Sequence, residues 1–189
     1  MSQQCRAFGV EFSELALSCI PKSGSPVRVA GGSALQLPLR TDSVDIITCL
    51  DVIEHIKDDK LALQELIRVT KRSGIIVITV PAFMILMGDW DKSLGHFRRY
   101  HLKDFRDLYA GQPVSVLVAR YINTFFFFPV LMYRILQKIF PPKAGGRLED
   151  VLPPSWANAV CHWLFTVPDL CPWFRLPFGL SALVILKKL

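Results

Sequence analysis

The run VDIITCL, Val44–Leu50, constrains the fold of this chain more than any other stretch. It is nearly continuous in apolar residues, as strands buried in a parallel sheet are. It runs straight into Asp51, Glu54 and His55, three groups that can bind protons or metals. In open α/β sheets, ligands sit at the carboxyl ends of the strands. This strand end therefore marks a candidate site.

The surrounding pattern agrees. Short apolar β-type runs alternate with helix-type segments, which predicts an α/β fold around a mainly parallel sheet. Strands are expected at Ala7–Val10, stopping at Glu11, and at Val27–Ala30, Ile75–Val80, Val114–Ala119 and Ser181–Leu186. Ser13 is placed to cap a helix over Glu14–Cys19. Leu63, Leu66, Ile67 and Thr70 have the spacing of one helical face. Asp58 and Asp59 suit the N-terminus of that helix, Lys71 and Arg72 its C-terminus, and Gly74 its end. A further helix is expected over Leu102–Tyr109.

The chain reads as a single domain over 1–189, with an apolar insertion at about 121–177. Pro129 fits the first position of a helix. After it, Val130, Leu131, Ile135, Leu136, Ile139 and Phe140 form an apolar face opposite Arg134, Gln137 and Lys138. A second apolar segment, WANAVCHWLF, follows at 156–165. Such helices either cover the sheet or lie on a membrane and shape a pocket for a lipid-like substrate. The apolar run from Ile122 to Tyr133 is too short to span a bilayer.

Composition narrows the partners. The 22 basic and 16 acidic residues leave a net charge of +6, a slight preference for anionic surfaces. No basic stripe with interleaved aromatics is present, so nucleic acid is not an expected partner. Five cysteines, an odd number without CxxC spacing, point to a reducing cytosolic compartment and no zinc finger. The first ten residues lack the apolar core of a signal peptide. The expectation is a cytoplasmic protein with peripheral membrane contact, acting on a small-molecule or lipid-like acceptor.

From Gly9 to about Tyr109 the order of elements resembles the class I S-adenosylmethionine-dependent methyltransferases. FGVEFSE resembles the second strand of that fold. GGSALQLPLRTDSVDIITCLDVIEHIKDD resembles the small-residue turn, L-P-F loop, F-D and strand ending before E-H. LALQELIRVTKRSGIIVITVP resembles the next helix, turn and fifth strand. GHFRRYHLKDF is similar to the post-strand segment of a bacterial and archaeal subgroup, and LPFGLSALVILKK to its terminal hairpin strand.

The resemblance implies a Rossmann-like sheet, mainly parallel with an antiparallel C-terminal strand, and S-adenosyl-L-methionine as cofactor. It implies that Glu11 holds the ribose hydroxyls, with Phe12, Ser33, Ala34, Asp51 and Val52 completing the cofactor side. Asp51, Glu54 and His55 would border the reaction centre. His55 and His96 are the candidate bases, with Tyr100 behind them; alternatively Glu54 and His55 only anchor a helix start. D-x-x-E-H also resembles the E-x-x-E-H pattern of ubiquinone-pathway and small-RNA methyltransferases. That makes Asp51, Glu54 and His55 metal candidates, joined by His96 or His101. Aspartate at the first position shortens the reach, so no divalent metal is expected.

The sequence departs from the family in three places. Ser33 stands where an acidic residue commonly accepts the adenine amino group. Lys71-Arg72-Ser73-Gly74 stands for the lysine-proline-glycine-glycine turn. The family's first strand and its G-x-G-x-G loop have no counterpart, and Gly31-Gly32 is no substitute. An N-terminally incomplete domain is therefore expected, one that is poorly stable, pairs its flanking strands directly, or borrows a strand. Weak cofactor binding is expected with it. The competing reading is a non-catalytic, methyltransferase-like binding or membrane-peripheral module.

Overall fold

The structure, a computed structural model, describes residues 6–21, 27–140, 154, 158–163 and 176–189. Cys5, Cys171 and both ends of the apolar segment at 156–165 lie outside them.

Two sheets form the fold. β1 (Phe8–Glu11) pairs in parallel with β2 (Arg28–Gly31), and α1 (Glu14–Cys19) connects them. The second sheet has the order β3–β4–β6–β5. It comprises β3 (Val44–Leu50), β4 (Thr70–Pro81), β5 (Val114–Ile122) and β6 (Ser181–Lys188). β3 and β4 are parallel, and β6 runs antiparallel between β4 and β5. This is the Rossmann-like methyltransferase arrangement, with its antiparallel C-terminal strand. β1 and β3 do not pair directly. Among the described residues, no strand hydrogen-bonds the outer edge of β3.

The core lies on one face of the larger sheet. Ile76, Ile78 and Val80 of β4, with Ala182, Val184 and Leu186 of β6, alternate inward as the period of a strand requires. They pack with Leu63, Leu66 and Ile67 of α2 (Asp59–Val69) and, beyond the short α3 (Asp89–Ser93) in sequence, with Phe105 of α4 (Leu102–Tyr109). The loop before β3 is pinned to α2. Leu37 donates its N–H to Glu65, and Arg68 donates to the Leu37 and Leu39 carbonyls.

Several boundaries differ from expectation. α2 ends at Val69, where the Thr70 hydroxyl donates to the Leu66 carbonyl at 2.7 Å. β4 starts at once, so Lys71–Gly74 belong to the strand rather than to a helix end. Gly74 is required there by crowding: a Cβ would meet the Asp45 carbonyl oxygen at 2.9 Å. β3 is not buried on both faces. Cys49 points into the core, while Ile46 is 63% and Leu50 53% exposed.

α5 spans Phe127–Ile139, so Pro129 sits at its third position, still within the turn whose N–H groups need no partner in the helix. Its apolar face does not cover the sheet, the first of the two expected arrangements. Arg134 is buried against Gly88, while Ile135, Leu136, Ile139 and Phe140 are exposed. No helix among the described residues is long and apolar enough to cross a membrane.

Candidate active site

The carboxyl ends of β1, β2 and β3 carry the residues expected on the cofactor side. Glu11 closes β1; its Oε1 accepts the Ser13 N–H at 2.7 Å, and its carbonyl accepts from Gly32. Ser13 in turn caps α1 by accepting from Ala16. One Glu11 oxygen thus fixes the turn and Oε2 remains to accept from a ligand diol. Gly32 is required by packing, because a Cβ would fall 2.7 Å from the Pro38 ring. That brings Ser33 and Ala34 close after β2, and the Ser33 hydroxyl accepts from Leu35. Phe12 is solvent-exposed.

At the end of β3, Asp51 takes φ 51° and donates its N–H to the Thr79 carbonyl. A positive φ in a non-glycine residue is uncommon and costs roughly 1 kcal/mol, so the chain turns here against local preference. It leads through Val52, half-exposed, into a tight turn, Ile53–His55. Ile53 plugs the core with 0% exposure, and its neighbour Glu54 is drawn in with it, also at 0%. Neither Glu54 carboxylate oxygen has a hydrogen-bond partner. Burial, aided by Asp51, pushes the Glu54 carboxyl up to about 7; its own backbone N–H, which lies outside hydrogen-bond geometry, and Arg99 pull the other way. Burial also raises the Cys49 thiol, to about 12, so it is a hydrophobe and not a nucleophile.

Two loops bring His55 and His96 together. Phe97 donates its N–H to the Glu54 carbonyl at 2.9 Å. The two imidazole rings then meet edge to face, 4.5 Å between centroids. Burial, then His96, holds the His55 pKa below its usual value, so the ring is neutral near pH 7. The far side of His96 is fixed by Asp91, whose Oδ1 lies 3.1 Å from Nδ1. Asp91 also accepts from Gly88 N–H at 2.8 Å and from Arg99 at 2.6 Å. Burial alone would raise the Asp91 carboxyl, but Gly88, Arg99 and His96 outweigh it and hold it low.

Of the remaining candidates, Tyr100 is only 4% exposed and donates its hydroxyl to Asp59 at 2.9 Å, beside Arg98. Burial and that carboxylate push the phenol well up. Tyr100 here anchors the loop to the start of α2. His101 packs against Phe83, away from the histidine pair. Asp51 does not join Glu54, His55 and His96 in the cluster. Asp91 and Arg99 were not foreseen; no sequence spacing marks them, since Asp91 stands on the short helix Asp89–Ser93 and His96 and Arg99 on the loop that follows it.

The donor set suits S-adenosylmethionine: a half-free carboxylate at Glu11 for the ribose, a hydroxyl at Ser33 for the adenine amino group and a carboxylate at Asp51 towards the methionine end. Residues 1–78 match the family described as Methyltransferase domain. An uncharacterized methyltransferase of Mycobacterium leprae is 32% identical over 78 residues, which are 41% of this chain and 28% of that protein. A Mycobacterium tuberculosis protein named "probable S-adenosylmethionine-dependent methyltransferase" is 26% identical over 113 residues, 60% of this chain and 39% of that one. The chain thus spans about a third of the length of these curated relatives. The crystal structure of a methyltransferase from Thermotoga maritima superposes with a TM-score of 0.59 at 18% identity, covering 97% of this chain and 73% of that one. Residues 1–78 thus resemble the methyltransferase domain family, and the fold of the chain is the Rossmann-like one of S-adenosylmethionine-dependent methyltransferases.

Proposed function

We propose that the chain carries the ribose, methionine and acceptor sides of a methyltransferase site, and that it methylates a small-molecule, lipid or glycan acceptor. When bound, S-adenosylmethionine supplies a methyl group activated on a sulfonium. Glu11 would hold the ribose diol, and Ser33, Ala34, Asp51 and Val52 would border the cofactor. Direct displacement depends mostly on positioning. The rigid β3 end and the Asp91-braced loop serve that purpose. A hydroxyl acceptor also needs its proton removed, and neutral His55 next to His96 is placed to accept it.

The observation that carries this reading is the Glu54–His55–His96 cluster directly after the β3 carboxyl end. The exposed apolar face of α5 supports peripheral membrane contact. The test is transfer of a tritiated methyl group to lipid, glycan and small-molecule fractions, using a chain extended upstream by a β-strand and a G-x-G-x-G loop. Label should enter one fraction and fail to do so with His55→Asn. Equal label with His55→Asn would remove that residue from catalysis.

A further inference from the structure

We propose that Glu54, His55 and His96 bind one divalent transition-metal ion, against the expectation from the sequence. The inference deepens the methyltransfer reading and concerns the same site. Their ligand atoms all lie within 4.8 Å of one another. Tetrahedral coordination at about 2.1 Å places ligands roughly 3.4 Å apart, so modest side-chain adjustment closes the set.

Two independent features point to a cation. The first is Glu54. Its side chain has 0% exposure, and both of its oxygens lack partners. Buried polar groups are nearly always satisfied, and one left alone calls for an ion, a proton or a water. A metal bound here would satisfy the carboxylate and draw on the two imidazoles beside it. The second is the support behind His96. A metal-binding histidine typically has its other ring nitrogen held by a carboxylate, which fixes ring and tautomer. Asp91 does this at Nδ1, leaving Nε2 for the ion. Asp91 is itself 1% exposed and clamped by Gly88 and Arg99.

The donor set selects the metal. Two imidazoles and one carboxylate suit Zn²⁺, Mn²⁺, Co²⁺ or Fe²⁺; Mg²⁺ and Ca²⁺ prefer all-oxygen sites. Three protein ligands leave a coordination position open for an acceptor oxygen. Deprotonation of that oxygen would then be promoted by the ion, with His55 as ligand in place of base.

The experiment uses the untagged 189-residue chain, stripped with chelator and freed of it. Zn²⁺ is titrated by calorimetry and Co²⁺ by visible absorption, both without S-adenosylmethionine. One ion per chain is expected, with Mg²⁺ failing to compete. Glu54→Gln and His96→Asn, each checked for fold by circular dichroism, should weaken binding at least about tenfold. His101→Asn, outside the cluster, should leave it unchanged. Absence of one-to-one binding, or unaltered affinity in both folded variants, overturns the proposal. Cofactor affinity is measured separately on the chain extended upstream by a β-strand and a G-x-G-x-G loop. Metal binding without cofactor binding in that extended chain sinks the methyltransfer reading and leaves the metal site standing.

Discussion

Asp91→Ala should be among the most destabilising single changes in the chain. The carboxylate is 1% exposed and answers three partners at once: Gly88 N–H at 2.8 Å, the Arg99 guanidinium at 2.6 Å and His96 at 3.1 Å. Removing it strands Arg99, whose side chain is only 12% exposed and otherwise reaches the Ala82 carbonyl. Breaking a buried pair by deleting one partner costs about 3–5 kcal/mol. Arg99 keeps one acceptor and some water, so about 3 kcal/mol is expected. Asp91→Asn retains shape and an acceptor for Gly88 but not the charge, and should cost about 1–2 kcal/mol. Urea denaturation at pH 7, compared at equal slope, reads both. The depressed carboxyl fixes the sign with pH. Its contribution is present above the ordinary value of 3.8 and is lost as pH falls through its lower folded value. The gap between wild type and Asp91→Asn should therefore hold from neutrality to about pH 4 and close below it. An Asp91→Ala protein within about 0.5 kcal/mol of wild type would refute the clamp, because exposed pairs contribute that little.

Glu54 has the opposite sign. Its folded pKa of about 7 exceeds the ordinary 4.5, so in chelator the wild type should lose stability relative to Glu54→Gln between those pH values. The loss is about 3 kcal/mol at most, and a pH-independent difference in urea midpoints would contradict it. In a cofactor-binding form of the protein, Glu11→Ala should weaken S-adenosylmethionine by about 1–3 kcal/mol, the range for a lost charged hydrogen bond; unchanged calorimetric affinity would take Glu11 out of the site. The α5 face should bring the protein down with anionic vesicles at low salt, less so after Ile139→Asp, and a protein that stays in the supernatant would speak against membrane contact.

Local signals were legible in the sequence. Ser13 does cap Glu14–Cys19, β3 spans Val44–Leu50, and α4 spans Leu102–Tyr109. Each is set by capping or periodicity within a few residues. What depended on distant contacts was not legible. The α2 end shifted because Thr70 both closes the helix and pairs with β3 at Val44. The facing of α5 was left open by the sequence, and what sets it is Arg134 packed against Gly88, a contact no helical wheel records. In the site, DVIEH announced Glu54 and His55, but the role of His96 needed Asp91 and Arg99. Their convergence depends on the loop after β4, tied back where the Tyr100 N–H meets the Pro81 carbonyl.

The β1, β2 and β3 ends are proposed to form one side of a cofactor site, and the 189 residues contain no G-x-G-x-G loop to complete it. Calorimetric titration of S-adenosylmethionine tests it most directly, into the 189-residue chain and into the chain extended by a β-strand and G-x-G-x-G. The prediction is weak or no binding in the first and one-to-one binding in the second. Micromolar affinity in a monomer of the first, or a folded second that does not bind, would contradict it.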